Sequence, residues 1–232
     1  MKESPGSKKQ FSEMSAAAHR VLLSAGFVLL LLGVFSIPFY YETTTLWYKF
    51  GLDKTLLKSG QFIGLAALML IFLQIVLSVR GSYLEGVFGA ADLLRYHQTN
   101  GVFIAVLACS HALLILVPEG IANLPIGKKY WPEMVGAALL LLIVVTAFVS
   151  VFRTALRLNY LMWRMFHRAL GYMILLLAVI HVLFVSESFE HLLPRVLALG
   201  LTAGLTIWVL VNKWPGYRAQ TFKQDQSQGE NP

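Results

Sequence analysis

The chain has 232 residues, of which 57% are hydrophobic and only 13% are charged, and its formal net charge is +7. Such a composition excludes a disordered chain and an ordinary soluble domain, and it favours a protein that crosses a membrane several times. The single cysteine excludes a disulfide, a cysteine-ligated iron–sulfur cluster and a CxxCH haem attachment.

Six apolar blocks are long enough to span a bilayer. The first is too long for a signal-peptide core and lacks a small-residue cleavage site after it, so we interpret it as a true helix. We therefore predict an all-α membrane protein, a six-transmembrane-helix bundle forming one domain over residues 19–212. The polar ends, 1–18 and 213–232, are expected to be loosely ordered tails. The predicted spans are 21–40, 60–79, 98–117, 134–152, 166–186 and 194–212.

The basic residues indicate the orientation of the bundle, because they concentrate on the cytoplasmic side of membrane proteins. With the N-terminus inside, thirteen of the Lys and Arg residues lie inside and six outside. This predicts two cytoplasmic termini and a multi-pass protein of the cell inner (cytoplasmic) membrane. The positive charge then serves orientation in the lipid bilayer, so no nucleic-acid partner is expected.

The third and fifth predicted spans carry the same five residue types at the same helical spacing. Steps of four, three, four and three keep all five on one face of a helix. The third span has His97, Gly101, Ile104, Ala108 and His111, and the fifth has His167, Gly171, Ile174, Ala178 and His181. Each helix thus presents two imidazoles on one side, with an axial separation of about 21 Å.

The two spans run in the same direction, which pairs His97 with His167 near the cytoplasm and His111 with His181 near the outer face. Neutral imidazole is a good iron ligand, and two facing histidines suit a planar porphyrin. We expect two haem b groups held by these four metal ligands, with small residues allowing close approach of the macrocycle. A tetrahedral zinc site is disfavoured because two pairs so far apart cannot supply four clustered ligands. Histidines that only brace the bundle, in a non-redox membrane protein, remain an alternative.

Three arginines flank the histidines expected on the cytoplasmic side. Guanidinium groups pair well with carboxylates such as haem propionates, although the same residues also enforce topology. The candidate cofactor-binding arginines are Arg95, Arg164 and Arg168.

No nucleotide-binding fingerprint such as GxGxxG after a strand is present. The chain is therefore expected to take electrons from a donor on the inside, either a partner protein or membrane quinol. No catalytic residue is proposed.

The sequence FGAADLLRYHQTNG around His97 and the sequence WRMFHRALGYM around His167 resemble the ferric reductase-like transmembrane domain. That family includes NADPH oxidases, ferric reductases and the MsrQ-type haem subunit of the periplasmic methionine sulfoxide reductase system. The resemblance covers about residues 20–212. It implies that His97, His111, His167 and His181 are haem ligands and that electrons move from the cytoplasm to the outer face.

The chain departs from two subgroups of that family. Oxidases and ferric reductases continue into an FAD and NAD(P)H domain, which is missing here, and MsrQ-type proteins tend to lack a histidine at the position of His97. The leading interpretation is a stand-alone ferric reductase-like cytochrome. It would receive electrons from a cytoplasmic flavin-dependent reductase or quinol, and pass them to ferric iron, oxygen or a periplasmic redox partner. A quinone-linked cytochrome b subunit of a respiratory complex is the main alternative.

Overall fold

A computed structural model describes residues 5–79, 81–120 and 124–229, and the described residues form helices joined by short turns. Short 3₁₀ segments precede α2, α5 and α7 at Thr44–Tyr48, Lys128–Tyr130 and Glu187–Glu190. The helices are α1 Pro5–Tyr40, α2 Gly51–Val79, α3 Ser82–Phe88, α4 Ala90–Glu119, α5 Trp131–Val151, α6 Tyr160–Val185 and α7 Leu192–Gly229.

Six of these helices are long and apolar enough to cross a membrane, which confirms the six predicted spans. They end within two residues of the apolar blocks but begin two to nine residues earlier. A helix extends readily into polar residues once it has formed, because adding one residue costs far less than nucleation. The spans are Ala16–Tyr40, Gly51–Val79, Ala90–Glu119, Lys128–Val151, Tyr160–Val185 and Leu192–Asn212.

The polar ends of the chain differ from the expectation of loose order. Helix α1 begins at Pro5, well before its apolar part, and α7 continues to Gly229. Both ends adjoin a membrane-spanning helix, which supplies the nucleus from which a polar segment can propagate. The prediction that both termini are cytoplasmic stays a prediction.

Helix α2 lies at the centre of the bundle. Of its most apolar stretch 44% is buried inside the protein, whereas the value for the other five spans is between 11% and 22%. It packs mainly against α4, while α5 packs mainly against α6, and smaller contacts join the two helix pairs. The apolar core is therefore built between two helical hairpins, α2 with α4 and α5 with α6.

The other spans expose long rows of large apolar side chains on their outer surfaces, such as Leu29 on α1, Leu141 on α5 and Leu176 on α6. Apolar surface of this extent is not stable in water, so a lipid bilayer must cover it. The protein is a multi-pass membrane protein.

Local signals fix where the two histidine-bearing helices begin. The Asn159 side chain accepts hydrogen bonds from the backbone N–H groups of Leu161 and Met162 at 2.9 and 3.3 Å, and so caps the start of α6. Gly89 has φ +84°, a conformation that a residue with a side chain rarely adopts, and it turns the chain from α3 into α4. These starts set the register of the histidines along each helix.

Candidate metal centres

The repeated faces of α4 and α6 both point into the core, as the sequence pattern predicts. Ile104 and Ala108 on α4 are buried, and so are Ile174 and Ala178 on α6. All four belong to one apolar cluster that also contains residues of α2, α5 and α7. The histidines at either end of each face are half-buried.

The four histidines come together as two facing pairs. The ring centres of His97 and His167 are 6.0 Å apart, with their planes at 73°. Those of His111 and His181 are 6.4 Å apart, with their planes at 80°. The tertiary structure therefore makes the two pairings that the parallel direction of the helices predicts.

The spacing within each pair fits a metal ion between the rings. A metal bound by two opposed imidazoles, each at about 2 Å from the metal, holds the ring centres roughly 6 Å apart. Among the described residues no group of three or more His, Cys, Asp or Glu side chains could hold a metal ion. Each pair therefore offers two axial ligands only, and the chemistry suits a metal whose remaining ligands come from a macrocycle, as in haem.

The His111–His181 pair is held by backbone carbonyl groups. His111 Nδ1 lies 2.8 Å from the Gly60 carbonyl oxygen on α2, and His181 Nδ1 lies 2.9 Å from the Pro132 carbonyl oxygen on α5. A carbonyl oxygen can only accept, so Nδ1 is the donor in both rings. In a neutral ring this leaves the lone pair on Nε2, the arrangement in which histidine binds a metal through that nitrogen.

The His97–His167 pair is held by side chains instead. The Gln74 amide nitrogen lies 3.3 Å from His97 Nε2 and donates to the His97 backbone carbonyl at 3.0 Å. Buried Asn100 donates to Gln74 Oε1 at 2.7 Å and to the Leu70 carbonyl at 2.9 Å. For His97 to bind a metal through Nε2, the Gln74 amide has to move away from that nitrogen.

On the opposite helix pair, Ser150 Oγ lies 3.2 Å from His167 Nδ1 and donates to the Thr146 carbonyl at 2.6 Å. Trp163 stacks on the His167 ring, with 5.1 Å between ring centres and 27° between planes. The Arg153 guanidinium lies 5.4 Å from the Trp163 ring centre, within the range of a cation–π contact. His167 is thus fixed from two sides.

The three candidate arginines are all exposed. Arg95 forms an ion pair with Asp92 at 3.9 Å, one turn earlier on α4. Arg164 and Arg168 lie one turn before and immediately after His167 on α6. Their pairing with a propionate stays a prediction.

Several residues around the histidines were not singled out from the sequence. Gln74, Asn100 and Ser150 are polar residues within or near the ends of apolar spans, and such residues commonly mark functional positions in membranes. That signal was available and could have found them. The carbonyl groups of Gly60 and Pro132 carry no side-chain signal, so their contacts with histidine come from the tertiary structure alone.

Comparison with known families gives one match, to the ferric reductase like transmembrane component, over residues 63–177. This range contains His97, His111 and His167 and ends shortly before His181. No curated protein and no solved structure matches the chain.

Proposed function

Because the chain belongs to the ferric reductase-like transmembrane family over residues 63–177, we propose that it is a b-type dihaem membrane cytochrome that carries electrons across the bilayer. The observation that carries the proposal is the assembly of four histidines into two facing pairs, with ring centres 6.0 and 6.4 Å apart. When bound, a haem with two imidazole ligands supplies a one-electron centre with no open metal position for a substrate.

His97 and His167 would hold one haem, and His111 and His181 the other. The distribution of basic residues places the His97–His167 pair toward the cytoplasm and both termini on that side of the cell inner membrane. The buried stripe of Ile104, Ala108, Ile174 and Ala178 lies between the two pairs and keeps water out of this part of the bundle. Arg95, Arg164 and Arg168 would supply positive charge to propionates at the cytoplasmic side.

The donor is a separate flavin-dependent reductase or membrane quinol. One feature favours quinol, the second candidate. An apolar cavity of about 290 Å³ lies beside His167, with Met162, Trp163, Phe166 and Val149 in its lining. An uncharged ring reaching this cavity from the lipid would lie next to a ligand of the cytoplasmic centre. Reduction of the purified protein by a soluble quinol analogue without added flavoprotein would select quinol, and reduction only with a flavin reductase would select the partner protein.

The acceptor at the outer face is ferric iron, oxygen or a periplasmic reductase partner. These three classes separate in one experiment on protein reduced anaerobically. Addition of a ferric chelate or of oxygen should oxidise the haems within the mixing time if either is the acceptor. Slow oxidation by both would favour a protein partner.

Haem content tests the proposal directly. Protein purified in detergent after expression with added haem precursor should contain two haems per chain and show a b-type reduced-minus-oxidised spectrum. Changing His19 or His191 to alanine provides matched controls, since these two histidines lie outside the repeated faces and should leave both haems in place. A colourless wild-type protein would refute the proposal and leave a non-redox role for the histidines.

A further inference from the structure

The two carbonyl groups that hold the His111–His181 pair occupy equivalent positions in two copies of one arrangement. Helix α5 repeats α2 after 72 residues, and residues 60–79 and 132–151 share glycine, alanine, leucine, isoleucine, serine and valine positions in that register. Helix α6 repeats the histidine face of α4 after 70 residues. In this register Gly60 is equivalent to Pro132, and His111 to His181. The same hydrogen bond is therefore built twice.

A glycine stands four residues after each of these carbonyl groups, at Gly64 in α2 and Gly136 in α5. A Cβ atom at Gly64 would lie 2.7 Å from His111 Nδ1, and a Cβ atom at Gly136 would lie 2.7 Å from His181 Nδ1. Real Cβ atoms essentially never approach a neighbour that closely. Each imidazole ring therefore occupies the space that a side chain would fill at these positions.

Helix geometry explains why the glycine comes four residues later. The carbonyl oxygen of residue i points along the axis toward residue i+4, whose Cβ leans back toward the N-terminus and shields it. Without that Cβ, a second donor can reach the oxygen from the side of the helix. The Gly64 and Gly136 positions open the Gly60 and Pro132 carbonyls to a histidine from the neighbouring helix.

The His97–His167 pair has no such arrangement. Its rings contact the Gln74 amide and the Ser150 hydroxyl, which are side chains that can rotate. Among the described glycines, only Gly64 and Gly136 have a histidine ring within 4 Å of the added Cβ. The glycine device is specific to one of the two pairs.

We propose that Gly64 and Gly136 are positioning residues, which fix the rings of His111 and His181 by opening a backbone carbonyl to each Nδ1–H group and so direct both Nε2 lone pairs to one metal centre. The proposal rests on the proposed haem-binding function. A donated Nδ1–H bond to a carbonyl raises the basicity of the ligating nitrogen. The two centres of the chain are therefore tuned differently, the outer one by rigid backbone and the cytoplasmic one by side chains.

The test compares Gly64→Ala and Gly136→Ala with Gly204→Ala in α7, where an added Cβ meets nothing within 4 Å. In the haem-loaded protein, either of the first two changes should lower the haem content from two to one per chain, or shift the signal and reduction potential of one centre only. The other centre, still present in the same sample, reports that the bundle has folded. Gly204→Ala should keep two haems with unaltered signals. Unchanged content, signals and potentials in both Gly64→Ala and Gly136→Ala would overturn the proposal.

A double-mutant cycle distinguishes a clash with the histidine ring from a general effect of alanine in the helix. Gly64→Ala should lower the thermal midpoint when His111 is present and leave it unchanged or raise it in a His111→Ala background. Equal lowering in both backgrounds would show that the glycine acts on something other than the ring. The cycle does not depend on haem, so it still tests the positioning role if the wild-type protein binds no haem and the proposed function fails.

Discussion

The polar link between α2 and α4 predicts a measurable and local weakening when it is removed. Asn100 is 8% exposed and donates to Leu70 on α2 and to the Gln74 side chain, which in turn contacts His97. We choose Asn100→Leu, because leucine keeps the volume of the side chain and removes both donated bonds. The Leu70 carbonyl retains its helical partner, but Gln74 Oε1 loses its donor.

The magnitude follows from these two interhelical hydrogen bonds. Such bonds contribute on average about 0.6 kcal/mol each in a membrane protein, so their loss costs about 1.2 kcal/mol. A buried Gln74 Oε1 without a donor raises the cost, since an unsatisfied buried group costs about 1–3 kcal/mol. We expect Asn100→Leu to destabilise the protein by about 1–3 kcal/mol.

The assay combines thermal unfolding in detergent with a redox titration of the haem-loaded protein. Asn100→Leu should lower the thermal midpoint and alter only the centre ligated by His97, because Gln74 no longer has a fixed orientation beside that ring. Thr202→Val is the matched control, since the Thr202 hydroxyl donates to Ala198 within α7 and joins no two helices. A thermal midpoint and two potentials equal to those of Thr202→Val would refute the assigned role of Asn100.

Three further predictions concern single ligands, charge and helix capping. His111→Ala or His181→Ala should lose the outer haem and keep the cytoplasmic one, because one imidazole cannot hold a six-coordinate site; two haems per chain in either variant would disprove the pairing. Arg164→Ala should lower the potential of the cytoplasmic centre in a redox titration, because positive charge stabilises its surroundings less in the oxidised than in the reduced form; an unaltered potential assigns Arg164 to topology alone. Asn159→Ala should cost about 1 kcal/mol of stability in a thermal melt through loss of the α6 cap, and an unchanged melt would contradict that role.

The two hairpins explain why the centres differ in their surroundings. Each histidine of the outer pair reaches the N-terminal part of a neighbouring helix, α2 or α5, where a carbonyl is opened by a glycine. Each histidine of the cytoplasmic pair reaches the C-terminal part of the same helix, where Gln74 or Ser150 stands. A duplicated scaffold thus places similar ligands in unlike environments, which gives a two-centre electron carrier a means to set two potentials.

Hydropathy and spacing were sufficient to predict the helices and the histidine pairs, because both are local properties. Apolar residues in long blocks must leave water wherever their neighbours lie, and a 4-3-4-3 spacing keeps five residues on one face of any helix. The helix starts were less well predicted. Apolarity does not report how far a helix continues into polar residues such as Asp53 and Lys54 at the start of α2.

The sequence by itself determined six membrane helices, two inward faces and the identity of the four facing imidazoles. Only the tertiary structure decided what each imidazole donates to and which glycines leave room for it. The physical reason is distance along the chain: His111 meets a carbonyl 51 residues away and His181 one 49 residues away. Such contacts depend on which helices become neighbours and at what height, and no periodicity within one helix contains that information.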